Sequence, residues 1–386
     1  RRPARDGGRE VAVDYTRDHA AADWLPRLAG MDAVVNAVGI LRESRGATFE
    51  AMHVRAPCAM FRACVEAGVR RVVQISALGA DEHARSRYHR SKKQADDALA
   101  ALPLSSVVVQ PSLVYGEGGA SARLFTALAV LPVIPLPGNG SQPVQPVHID
   151  DLATLVVRLV APDEEVTGRV AAVGPRPVTL RDWLAALRAS LGLPSARFLR
   201  VPMVLVRTAA ALASTLPGAP LGMLERGNTG DPDTIARILG HSPRDPLCFI
   251  DSRVAIQART AAQLTWLLPV LRAAVAALWI VTGIVSLGLY PVEASYELLA
   301  RTGITGALAP IALYGAALLD LALGAGIYLV RRRRWLWRAQ IALVLVYTVI
   351  ITVTLPEYWL HPYGPLTKNL PLLAALVLLH ELEEKG

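Results

Sequence analysis

Two regimes of hydrophobic patterning divide the chain. Over the first 265 residues, short apolar runs bounded by turn residues alternate with segments of helical period, the signature of a parallel sheet covered by helices. Runs at 11–13 (VAV), 32–37 (DAVVNA), 71–76 (RVVQIS) and 106–110 (SVVVQ) predict strands, with helices over 47–67 and 88–101 between them. Parallel strands need right-handed crossovers, so ligands are expected at the carboxyl ends of these strands.

The last 120 residues are mostly apolar, with charges gathered into short clusters. Three uncharged runs of 18 residues, Ala273–Tyr290, Thr302–Leu319 and Ala339–Pro356, reach the length at which a membrane helix is expected. A fourth, 363–382, is interrupted by Lys368, whose long stem can carry its ammonium to the headgroups. The pattern predicts an all-α four-helix transmembrane bundle over 266–386, with spans at about 268–290, 305–330, 337–356 and 363–382. Tryptophans 279, 335, 337 and 359 and Tyr358 lie in or beside the spans, most of them near an end, as interfacial anchors do. Asp320 falls within the second span, where an ionisable group reads either as functional or as wetted by the nearby inner end. The apolar segment 201–217 contains Arg207 and is bounded by prolines, so it predicts a helix of the first region, on or off the bilayer surface.

Charge refines this picture. The formal net charge is +8, and the 40 basic residues comprise 36 arginines and four lysines. Five of the arginines fall in RRRRWLWR (331–338), between two apolar spans, where membrane topology places positive charge. The expectation is a multi-pass protein of the cell inner membrane, with the amino-terminal domain and the carboxy terminus in the cytoplasm. The lipid bilayer is thus an expected partner, and nucleic acid is not, because no recognisable nucleic-acid module surrounds the arginines. Three scattered cysteines, Cys58, Cys64 and Cys248, are too few for a disulfide framework or a zinc site, so no metal is expected.

One lysine stands out. In SRYHRSKKQAD (86–96), Tyr88 and Lys92 are four apart, which puts both on one helical face. Ten tyrosines and four lysines in 386 residues give roughly 0.1 such pairs by chance. A phenol ordinarily titrates near 10 and needs a neighbouring cation to act near neutral pH. A compact ammonium also reaches two ribose hydroxyls in a way a planar guanidinium does not. A surface Tyr and Lys on an exposed helix is the plain alternative. Two strand ends add weaker signals: NAVGI (36–40), where Gly39 permits close backbone approach or simply a tight turn, and Ser76 in QISALGAD, a turn residue or a hydrogen-bonding hydroxyl.

Taken together, Ser76, Tyr88 and Lys92, followed by QPSLVYG (110–116), resemble the extended or atypical branch of the short-chain dehydrogenase/reductase family over residues 1–265. Within it the chain is similar to NAD-dependent epimerase/dehydratase proteins and to the nucleotide-binding accessory subunit of respiratory complex I. The resemblance implies an α/β Rossmann-type sheet binding NAD or NADP. It implies Tyr88 as acid/base, Lys92 holding the nicotinamide ribose while lowering the tyrosine's pKa, and Ser76 orienting the substrate oxygen. Asn36 and Gly39 would line the cofactor, Asp14 would lie near the adenine, and Pro111, Ser112 and Val114 would border the nicotinamide. VHIDDLA (147–153) matches where the chain returns to the sheet, and a smaller substrate-side region would occupy about 165–265.

The family's first strand and its GxxGxxG turn, which binds pyrophosphate at a helix amino terminus, are lacking. A fragment is the favoured expectation and a broken cofactor site the alternative. Arg1 and Arg2 would then be candidates for a 2′-phosphate contact. Residues 265–386 resemble the DoxX-like four-helix membrane family, through PVEAS (291–295) and HPYGPLTKNLP (361–371).

The first functional expectation is a membrane-anchored NAD(P)-dependent oxidoreductase acting on a carbonyl, hydroxyl or quinone-like apolar substrate. The alternative is a non-catalytic dinucleotide-binding structural or assembly protein associated with a respiratory membrane complex. A third reading makes the membrane bundle the active part, through Asp320, Glu293 and Lys368.

Overall fold

The computed structural model describes residues 10–161, 163–212 and 227–383. The chain divides into two units, Arg1–Gln263 and Leu264–Gly386. Arg1 and Arg2, candidates for a 2′-phosphate contact, lie outside the described residues.

In the first unit, β1 (Ala33–Asn36), β2 (Arg71–Ile75), β3 (Ser105–Pro111) and β4 (Gly168–Ala172) form one parallel sheet in that order. The register sets Val34 beside Val72, Val73 beside Val107 and Val109 beside Val170. Such valine-rich strands suit a sheet covered on both faces. One face packs against α1 (Ala21–Leu28), α2 (Ala56–Glu66) and α3 (Arg87–Ala100), through Leu28, Phe61, Cys64 and Leu99. The other packs against α4 (Ile149–Val160) and the helix Asp233–Leu239, through Leu155, Leu159, Ile235 and Leu239.

Two expectations are corrected. Residues 11–13 form no strand. The segment pairs with no described strand, the outer edge of β1 included, and a strand without a ladder is not stable. The chain's return to the sheet is also displaced. Residues 147–148 pair only with 114–115, and the fourth strand of the sheet is 168–172, whose GRVAA composition hides it from a hydropathy reading.

The second unit holds α5 (Ala255–Ile284), which begins in the first, then α6 (Leu308–Leu329), α7 (Arg334–Thr354) and α8 (Asn369–Leu382). Val275, Trp279, Leu323, Trp337, Val344 and Leu376 meet at the bundle centre. At Gly324 a Cβ would stand 3.0 Å from the Ala276 carbonyl and 2.7 Å from Ile280 Cγ1, so glycine lets α5 and α6 approach closely. The first three helices are long and apolar enough to cross a membrane. The fourth is shorter than expected, at 14 residues, roughly 21 Å at 1.5 Å per residue, because the proline-rich segment 361–368 holds turns in place of helix. Its end nevertheless meets the interior of α5 and the start of α7: Glu383 pairs with Arg272 at 2.9 Å and Arg333 at 3.1 Å and accepts from Trp337 Nε1 at 3.2 Å. At the opposite end, Arg301 pairs with Glu357. Asp320 is 6% exposed inside the bundle, and its Oδ1 has no hydrogen-bond partner among the described residues.

Candidate functional site

The carboxyl ends of β1 and β2 converge on one helix. α3 starts at Ser86, whose Oγ accepts the His89 amide at 3.1 Å, and its buried face carries Tyr88, Ser91, Lys92, Ala95, Asp96 and Leu99. That periodicity is why Tyr88 and Lys92 share a face. The Lys92 amine donates to the Ile75 carbonyl at 3.0 Å and to the Val38 carbonyl at 3.4 Å, which places it where β2 ends and the turn after β1 begins. A lysine ammonium has three donors, so one N–H remains for a ligand. Gly39 makes the approach possible: a Cβ there would meet Lys92 Nζ at 3.0 Å and His53 Nε2 at 3.5 Å.

His53, which sequence reasoning missed, organises this corner. It lies in a π-helical segment, Glu50–Arg55, just before α2, and is 1% exposed. Its Nε2 accepts the Ile40 amide at 3.0 Å, which assigns the ring proton to Nδ1. Nδ1 donates to Ser91 Oγ at 2.9 Å, and Ser91 Oγ donates to the Tyr88 carbonyl at 2.8 Å. The turn carrying Gly39 is thereby sewn to the helix carrying Tyr88 and Lys92. Burial, reinforced by the Lys92 charge, pulls the His53 imidazole down to about 3, so the bridge is neutral.

The Tyr88 ring packs edge-on against His53, Phe49 and His89, with centroids 5.5, 6.0 and 5.1 Å away. The expected lowering of its pKa by Lys92 is corrected. Burial, with the Asp96 charge, pushes the phenol up to about 12, because the Lys92 amine is turned to two carbonyls. Burial pulls Lys92 itself down to about 8, opposed by Asp96.

Ser76 lies beside the same helix. It donates to Asp96 Oδ2 at 2.5 Å, because Ser76 continues the β2 alternation and its side chain meets α3. Asp96 repeats the Tyr88–Lys92 spacing once more, a helical signal the sequence did offer.

The remaining candidates shape the walls. Asn36 is committed to the scaffold: its Oδ1 accepts from the Tyr15 hydroxyl at 2.9 Å and from the Val38 amide, in the Gly39 turn, at 3.3 Å, and its Nδ2 donates to Gln74 Oε1 at 2.7 Å. The Asp14 carboxylate closes its own turn by accepting from the Thr16 amide and hydroxyl, which hold it below the usual carboxylate range. The Pro111 carbonyl accepts from the Leu78 amide at 2.9 Å, Ser112 donates to the Gln145 carbonyl at 2.5 Å, and Val114 pairs with Val147. The structure thus brings together Gly39, Tyr88 and Lys92, with Pro111 tied to the segment after β2 and Ser112 and Val114 to residues 145–147, and leaves Asp14 outside that group. No metal-binding cluster of His, Cys, Asp and Glu occurs among the described residues.

Comparison with known proteins bears on the fold that carries this geometry. Residues 5–129 match the NAD(P)H-binding family and residues 276–377 the DoxX-like family. The mitochondrial NADH dehydrogenase (ubiquinone) 1 alpha subcomplex subunit 9 of Arabidopsis thaliana is 27% identical over 186 residues, 48% of this chain and 46% of that protein. The ceramide reductase of Caulobacter vibrioides is 29% identical over 160 residues, 41% of this chain and 50% of that protein. The chain spans about half the length of these relatives. A nucleoside-diphosphate-sugar epimerase of Staphylococcus aureus superposes with a TM-score of 0.51 at 15% identity, covering 61% of this chain and 81% of that one, which identifies the fold. The first unit thus has a Rossmann-type fold with an NAD(P)H-binding match, and the second a DoxX-like match over helices long and apolar enough to cross a membrane. The third N–H of Lys92 is a donor that suits a hydroxyl of such a cofactor.

Proposed function

We propose that this protein is a membrane-anchored NAD(P)-dependent oxidoreductase that reduces the carbonyl, or oxidises the hydroxyl, of an apolar or quinone-like substrate. The observation that carries the reading is the buried Lys92 amine, set against two strand-end carbonyls beside Gly39 with one donor left over. Bound NAD(P)H supplies a hydride. Lys92 holds a ribose hydroxyl through its third N–H. Tyr88 delivers the proton: its buried phenol is protonated at rest, which suits the reductive direction. His53 keeps the helix and the turn in register. The arginines at 331–334, at the end of the bundle shared with Glu383, favour that end and the first unit facing the cytoplasm at the inner membrane.

The test is turnover by the full chain in detergent, with NADH and NADPH, against long-chain carbonyls and short-chain quinones. Tyr88→Phe is expected to cut turnover by about 10²–10⁴-fold while cofactor binding persists. Equal turnover in the variant ends the enzyme reading.

A second reading, a dinucleotide-binding structural or assembly subunit of a respiratory complex, is favoured by one observation. The Ser76 hydroxyl is spent on Asp96, and the Tyr88 hydroxyl has no hydrogen bond among the described residues, so the substrate-facing pair is incomplete at rest. Stoichiometric co-purification with a respiratory complex, without turnover on any substrate, would favour it.

A further inference from the structure

We propose that Asp96 is the positioning residue for Lys92: anchored by the Ser76 hydroxyl, its carboxylate places a negative charge one helical turn behind the amine. The proposal rests on the reading of Lys92 as the cofactor-holding amine.

Both groups are buried, Lys92 at 4% and Asp96 at 0% exposure. A buried ammonium whose only bonds go to neutral carbonyls has its donors satisfied and its charge uncompensated. The surrounding elements leave one candidate for compensation. On α3 itself, Tyr88 is a protonated phenol and Asp97 is engaged by Lys93 and Arg169. From the π-helical segment comes His53, which is neutral. From β4 comes Arg169, a cation already paired with Asp97 at 2.5 Å. Asp96 alone is a carboxylate on the buried Lys92 face with no cation bound to it.

Its orientation is fixed from outside the helix. The Ser76 amide donates to the Val109 carbonyl at 2.8 Å, which locks the backbone of residue 76 into the β2–β3 ladder. The Ser76 hydroxyl then donates to Asp96 Oδ2 at 2.5 Å, while Oδ1 has no partner among the described residues. The strand thus holds the carboxylate, and the carboxylate holds the charge state of the lysine. Burial raises the Asp96 carboxyl to about 6, so it is ionised at neutral pH, and its charge opposes the fall of Lys92.

The chain's four lysines, at 92, 93, 368 and 385, make a direct measurement feasible. Full-length protein in detergent, labelled with ¹³C at lysine Cε, gives four signals to titrate against pH, with Lys92→Arg assigning one of them. In Asp96→Asn, which keeps an acceptor for Ser76 and removes the charge, the Lys92 midpoint is expected to fall by about one pH unit or more. The pH at which NADH affinity declines should fall with it. Ser76→Ala, which releases the carboxylate without neutralising it, should give a smaller shift in the same direction. A midpoint unmoved in Asp96→Asn, or in Ser76→Ala where the first variant does not fold, overturns the proposal. A midpoint that moves while NADH affinity stays indifferent to pH supports the positioning role and removes the cofactor reading of Lys92.

Discussion

His53 Nδ1 stands 2.9 Å from Ser91 Oγ across 38 residues of sequence, and this contact couples the Gly39 turn to the helix bearing Tyr88 and Lys92. A neutral, fully buried imidazole is an unusual choice for a structural bridge, because it invites protonation in acid. Burial keeps it neutral, and the amine it sits beside adds to this, since two positive charges at that corner would repel.

The bridge sets an acid limit on stability. In the unfolded chain His53 takes up its proton near 6.5, whereas in the fold it resists protonation down to about 3. Protons therefore favour the unfolded state as pH falls through 6.5, and the stability is lost progressively between 6.5 and about 3. In His53→Gln the drop in melting temperature between pH 7 and pH 4.5, followed by tryptophan fluorescence of the full chain in detergent, should be smaller than in the parent.

The alkaline limb of reduction should belong to Lys92 and not to Tyr88. The ammonium is lost as pH rises through about 8, while the phenol stays protonated to about 12. Turnover in the reductive direction is expected to decline above pH 8, with the decline appearing in KM for the cofactor. A limb that shifts in Tyr88→Phe and not in Asp96→Asn would reverse this assignment.

Gly39→Ala introduces a Cβ 3.0 Å from the Lys92 amine, at a position whose backbone needs no left-handed conformation. The lysine must give way, and the expected result is an NADH affinity weakened by about tenfold or more with a stability loss of about 1–3 kcal/mol. Fluorescence titration with NADH and a denaturant melt measure the two effects separately.

In the second unit, Asp320 leaves a buried carboxylate oxygen without a partner. Replacing it by leucine removes an unsatisfied polar group from an apolar bundle, and thermal unfolding in detergent should move upward, by about 1–3 kcal/mol of stability. A variant that melts lower would mean that Asp320 has a stabilising partner in the bilayer.

Local periodicity and composition were enough for much of this protein. Valine runs specify β2 and β3 because a strand buried on both faces has no polar alternation to keep, β1 follows the same valine pattern at the sheet edge, and the apolar stretches of the second unit announce membrane helices by length. Tyr88 and Lys92 were legible because helical spacing alone puts them on one face. Packing decided the rest. Ser76 sits at a strand end in either reading, but only the position of α3 determines that its hydroxyl meets Asp96. His53 carries no sequence signal, since its partners Ile40 and Ser91 come from a turn and a helix brought together by the fold. The strand expected at 11–13 is absent for the same reason: a ladder is a relation between distant segments, and propensity cannot create the neighbour.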